Sequence, residues 1–228
     1  MIERQFITQK TKEYYIKEYV ESILHGAGIS EVHLKKIPLG EKIIVHASRP
    51  SLIVGSKGSN IKQLTKVLKE KFKLENPQIE IVEVKNVFLD ANVVAEKIAS
   101  SLERFGSARF KSIGYKVLTN VMGAGAIGVE LILSGKVPSA RARSWRFKAG
   151  HLKKSGFIAS DKVKKAIAQA NLKSGVIGIK VSIMTPDIIL PDRILILDKN
   201  MELIEKKPEI ENIPEEIKEE KVEAHPEE

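Results

Sequence analysis

The stretch SLIVGSKGSNIKQLTKVLKEKF, residues 51–72, decides how the first half of this chain folds. A short apolar segment, Ser51–Val54, ends in Gly55-Ser56-Lys57-Gly58 and runs straight into residues of helical period, where Ile61, Leu64, Leu68 and Phe72 share one face. Lys62, Lys66 and Lys69 lie elsewhere on that helix. Two glycines around a small residue and a lysine let the main chain approach a phosphodiester closely, because no Cβ stands in the way. The helix N-terminus that follows offers unpaired N–H groups and positive potential. The pattern predicts a short helix, a phosphate-gripping loop and a longer helix, rather than a plain glycine connector.

The flanks support this. Thr11–His25 reads as a helix with the stripe Ile16, Tyr19/Val20 and Ile23, stopped at Gly26. Glu31–Ile37 and Lys42–Ser48 read as strands joined at Pro38-Leu39-Gly40, and Ile43, Val45 and Ala47 give the second an apolar face. Pro77 opens a third strand, Gln78–Val84. The order αββααβ puts three strands under helices in an α+β layer. In that setting Gly55–Gly58 is the GXXG loop with which a KH domain, here of type II, clamps about four nucleotides. Residues 1–86 are therefore assigned to a type II KH domain.

Residues 87–198 form a second unit. Asp90 is expected to cap a helix with the face Val94, Ile98, Leu102 and Phe105. Gly106-Ser107 breaks it, Ser107 is expected to cap the next helix, and Phe110, Ile113, Val117 and Val121 form the buried stripe there. After Gly123 the period becomes two: Ile127, Val129, Leu131 and Leu133 alternate with Gly128, Glu130 and Ile132. Ala140–Lys148, about Asp161–Ile167, and Val176–Met184, with Ile177, Ile179, Val181 and Ile183 on one side, complete a four-stranded sheet. Two helices followed by four strands make a segregated α+β domain. Ile188–Leu197 is apolar enough to pack on the body, whereas residues 199–228, with Pro208, Pro214 and Pro226, form an acidic Glu/Lys/Pro tail expected to be disordered.

Charge points to the partner. Residues 199–228 hold five Lys and eleven Glu, a net of −6, while the whole chain is +9, so residues 1–198 carry +15. A basic body implies a polyanion. The segment Gly135–Ser155, GKVPSARARSWRFKAGHLKKS, holds Lys136, Arg141, Arg143, Arg146, Lys148, Lys153 and Lys154 and no acid. On a strand, Arg141, Arg143, Trp145 and Phe147 share one face and Arg146 and Lys148 the other. Cations on both faces are hard to bury unpaired, so RNA is the natural partner, with Trp145 and Phe147 read as core. A third group, Arg104, Arg109, Lys111 and Lys116, surrounds the helix break at Gly106.

Other chemistry finds no footing. With no Cys there is no disulfide, thiolate nucleophile or cysteine-ligated zinc. The five histidines lack ligand spacing, and no Ser/His/Asp set or carboxylate pair stands in a persuasive context. Gly123-Ala-Gly125-Ala-Ile-Gly128 fits G-x-G-x-x-G but follows a helix and opens a strand, the reverse of the dinucleotide fingerprint, and no P-loop occurs. Neither a catalytic role, a cofactor, a metal nor a small-molecule substrate is expected. No apolar run suggests a secretory signal or a bilayer span, so a cytoplasmic protein with no membrane partner is expected.

Three stretches, IVHASRPSLIVGSKGSNIKQL (44–64), GAIGVELILSGKVPSARARSWRFKAGHLKKSG (125–156) and SGVIGIKVSIM (174–184), resemble the archaeal form of the universal S-three family of small-subunit ribosomal proteins. The resemblance covers roughly residues 1–190. It implies a place in the head of the small subunit, bound to small-subunit rRNA, beside the channel where mRNA enters, next to the tenth and fourteenth proteins in family numbering. It also implies that bacterial relatives carry an Arg/Arg/Lys group, used in unwinding mRNA, at the positions of Lys111, Ser112 and Tyr115, of which only Lys111 is basic here. The RNA-binding set expected from residues and resemblance together is Gly55, Ser56, Lys57, Gly58, Lys62, Arg109, Lys111, Lys116, Lys136, Arg141, Arg143, Arg146, Lys148, Lys153 and Lys154. The competing readings are a KH-type single-stranded RNA-binding regulator outside the ribosome and a lysine-dependent nucleic-acid lyase, which needs a desolvated lysine.

Overall fold

The structure, a computed structural model, describes residues 2–191 except His25, Leu39 and Glu75. The first half runs α1 (Ile2–Ile23), β1 (Ile29–Ile37), β2 (Gly40–Ala47), α2 (Pro50–Val54), α3 (Ser59–Phe72) and β3 (Gln78–Glu83), the αββααβ order. β2 is central, antiparallel to β1 and parallel to β3. A parallel partner requires a crossover, and α2, the glycine loop and α3 supply it. Ile43, Val45 and Ala47 of β2 are buried against Ile16, Val20, Ile53, Leu64 and Leu68. Each such aliphatic side chain contributes about 1.5–3 kcal/mol on leaving water.

A second buried cluster, drawn from residues 91–183, belongs to α4 (Ala91–Phe105), α5 (Phe110–Gly123), β4 (Gly128–Gly135), β5 (Arg143–Gly150), β6 (Lys164–Leu172) and β7 (Gly175–Met184). The sheet order is β5-β4-β7-β6, antiparallel throughout. α4 packs on β6 and β7, and α5 on β4 and β5. Val129, Leu131, Leu133, Ile177, Ile179, Val181 and Ile183 face the helices and are buried, as their alternation predicts. The halves are tied where Asn92 Nδ2 donates to the Ser30 carbonyl at 2.7 Å and the Gly26 N–H donates to Glu96 Oε1. No helix among the described residues is long and apolar enough to cross a membrane.

Several expectations are corrected. α1 starts at Ile2, not Thr11, because its Glu, Gln, Lys and Arg residues sustain a helix without an apolar stripe; Ile2, Phe6 and Ile7 stay exposed, as does Ile23. Asp90 does not cap α4 with its side chain, since its buried carboxylate accepts from Lys164 Nζ instead. Ser107 opens a single tight turn rather than capping α5, which begins at Phe110. Phe105 is half exposed, with Arg104 and Arg109 guanidinium groups 5.5 and 5.6 Å from its ring. β5 starts at Arg143 rather than Ala140, because Val137 turns inward and its carbonyl accepts from Trp145 Nε1 at 3.0 Å. Arg141 therefore sits before the strand, not on it. β6 runs Lys164–Leu172 instead of about 161–167: Ile158–Lys162 forms a wide helical turn, and the inward face is Ala166, Ala168 and Ala170, whose apolar signal is weak. Ile189 is 82% exposed, and the expectations for residues 192–228, the acidic tail included, lie outside the described residues.

Candidate nucleic-acid interface

The glycine loop is a strained turn held from behind. Gly55 has φ 69 and ψ −177, and Lys57 (φ 53) and Gly58 (φ 75) are left-handed. Only glycine enters that region freely; a side chain costs roughly 1–2 kcal/mol, so Lys57 holds its conformation against its intrinsic preference. The Gly55 N–H donates to the Ser51 carbonyl at 3.0 Å and the Gly58 N–H to the Gly55 carbonyl at 3.4 Å. Asn60 supplies the brace: Nδ2 donates to the Leu52 carbonyl at 3.1 Å, and its amide fills the space where a Cβ on Gly55 would stand, 2.6 Å away. A Cβ on Gly58 would meet nothing within 4 Å. Lys57 and Ser56 are exposed at the tip, and Lys62 is exposed one turn into α3. The sequence reading missed Asn60, whose signal is an amide side chain two residues past the second glycine.

The cations of the second half gather on α5, β5 and the segments flanking β5. From Arg104 to Ser160 the chain holds eleven Lys and Arg and a single acid, Glu130, so the local potential is positive. Register decides which of these cations is matched. Glu130 of β4 stands opposite Lys148, is almost buried, and its Oε1 accepts from Arg146 Nε at 3.0 Å and Lys154 Nζ at 2.8 Å. Residues 135–155 contain no acid, but folding brings one, and two of the expected RNA contacts share it. Their own side chains stay more than half exposed, at 59% and 57%. Lys136, Arg141, Arg143 and Lys148 are exposed, while Lys153 is half-buried. Trp145 and Phe147 pack on the core side, as read.

Arg109, just before α5, and Lys111 and Lys116 on it are exposed. The Lys111 ammonium lies 5.2 Å from the Trp145 ring centroid, a cation–π contact that joins α5 to β5. Gly123–Gly128 forms a helix stop and turn, with the Gly125 N–H donating to the Met122 carbonyl. Among the described residues no cluster of three or more His, Asp or Glu side chains is placed to hold a metal ion. Main-chain donors at the loop and fixed cations on α5 and β5 suit contacts to phosphate, which position a strand without reading its sequence.

Comparison with known proteins converges on one family. Residues 15–88 match the KH domain and residues 98–183 match "Ribosomal protein S3, C-terminal domain". "Small ribosomal subunit protein uS3" of Methanocaldococcus jannaschii is 45% identical over 196 residues, covering 86% of this chain and 93% of that protein. Proteins of the same name from Methanococcus maripaludis and Methanococcus vannielii are each 43% identical over 197 residues, covering 86% of this chain and 92% of theirs. With both halves matched in order at this identity and coverage, the chain belongs to the ribosomal protein S3 family.

Proposed function

We propose that this chain is a structural constituent of the small ribosomal subunit, not an enzyme, and that it binds small-subunit rRNA. The observation that carries the reading is the union of the αββααβ unit and its braced Gly55–Gly58 loop with a second, cationic sheet domain, in a chain 45% identical to a small-subunit protein. The division into residues 1–86, 87–198 and 199–228 belongs to the same proposal. Gly55, Ser56, Lys57, Gly58 and Lys62 grip one RNA segment; Arg109, Lys111, Lys116, Lys136, Arg141, Arg143, Arg146, Lys148, Lys153 and Lys154 meet folded rRNA and, at the channel where it enters, mRNA. A location in the head of the subunit, in the cytoplasm, beside the tenth and fourteenth proteins of family numbering, completes the reading. The lysines of the interface are mostly exposed and solvated, which removes the desolvated amine a lyase requires. No observation favours a free regulator.

The test is binding of the purified chain to small-subunit rRNA across a salt series, with sedimentation alongside subunits. Affinity is expected to fall steeply with salt. Lys57→Ala is expected to lessen the log–log slope by about 0.7, one phosphate contact to single-stranded RNA, without moving the unfolding midpoint. Failure to bind small-subunit rRNA at low salt overturns the proposal.

A further inference from the structure

Along the seam between α5 and β5 runs a row of four aromatic rings. The Trp145 centroid is 5.3 Å from Phe110, Phe110 is 6.4 Å from Phe147, and Phe147 is 5.4 Å from Tyr115, the last pair at an interplanar angle of 83°. Phe110 and Phe147 are buried and seal the core, but Tyr115 at the end of the row is 62% exposed. Gly114 makes the row possible, because the Phe147 ring stands 3.1 Å from where its Cβ would be. An edge-to-face contact covers at most one face of the tyrosine ring. The tyrosine ring thus meets Phe147 edge to face and leaves at least one of its own faces uncovered by that contact.

The surroundings of the open ring are cationic. Lys111 lies one helical turn before Tyr115 on the same face, and its ammonium is held over Trp145. Lys116 adjoins Tyr115, Arg109 precedes the helix, and no acid occurs between Glu103 and Glu130. An exposed aromatic ring held against Phe147, in a lysine-bearing stretch of chain free of acids, matches what single-stranded RNA presents: a flat base between anionic linkages. We infer that Tyr115 is a stacking platform for an unpaired nucleobase, while Lys111 and Lys116 hold the adjoining phosphates. The inference rests on the RNA-binding reading above and deepens it, since stacking accepts every base and lets sequence pass unread.

The experiment uses the full chain and a short unstructured oligoribonucleotide, with a second probe of equal length whose central nucleotides are abasic. Binding is read by anisotropy and by the emission of Trp145, the single tryptophan. Tyr115→Ala is expected to weaken the normal probe about tenfold with an unchanged salt slope, and Tyr115→Phe to restore it. The abasic probe is expected to bind the unsubstituted chain about tenfold more weakly and to lose nothing further with Tyr115→Ala. Lys111→Ala combined with Lys116→Ala is expected to reduce the salt slope instead. If the unsubstituted chain binds both probes equally, a result that needs no variant to fold, or if Tyr115→Ala binds the normal probe undiminished, the platform is overturned while RNA binding stands. If the chain binds neither probe nor rRNA at low salt, the RNA reading fails and the platform with it. If Tyr115→Ala impairs only association with another subunit protein, the platform is likewise overturned.

Discussion

At the scale of single residues, the two glycines of the loop are chemically alike and structurally unequal. Gly55 combines a left-handed φ with an occupied Cβ position 2.6 Å from the Asn60 amide, whereas Gly58 has the left-handed φ alone. Gly55→Ala is expected to cost about 2 kcal/mol or more in urea unfolding and to weaken RNA binding by displacing Asn60. Gly58→Ala is expected to cost only about 1 kcal/mol, the left-handed penalty by itself. Equal losses from the two substitutions would contradict this placement of Asn60. The glycine pair was legible in the sequence because a G-x-x-G pattern is local. The brace was not, because nothing in the string says which carbonyl an asparagine amide will meet.

At the scale of elements, the β4–β5 ladder decides the charge of the interface. Glu130 is the alternate residue of an apolar strand and would be read as solvent-facing; pairing sets it between Arg146 and Lys154 instead. Glu130→Gln is expected to lower stability by about 1 kcal/mol through the weakened charge-assisted bonds. The same change releases two cations, so RNA affinity at low salt is expected to rise and its salt slope to steepen. A salt series of filter-binding measurements beside urea unfolding checks both; unchanged RNA binding would mean that Arg146 and Lys154 do not face the ligand. Strands with strong alternation, β2, β4 and β7, were legible in position and inward face. β5 and β6 slid by two to five residues, because an inward-turned Val137 and an alanine-lined face carry little periodic contrast.

At the scale of the whole molecule, long-range charge is a sequence property with a measurable consequence. A chain ending at residue 198 carries +15 instead of +9. It is expected to associate with rRNA faster at low ionic strength, the difference fading towards 1 M salt, where the Debye length is about 3 Å. Persistence of the difference in high salt would show that the tail acts other than through charge. Element order, the place of the glycine loop, the aliphatic residues of both cores and the net positive charge were all readable from the amino-acid string. Each depends on periodicity, composition or a contiguous pattern, which near neighbours along the chain suffice to express. Folding alone decided that Asn60 supports Gly55, that Glu130 is shared by two arriving cations, and that Tyr115 stands exposed at the end of a row of rings. Those pairings join residues brought together by strand register and by the packing of helix on sheet, and such contacts between distant segments leave no local mark in the sequence.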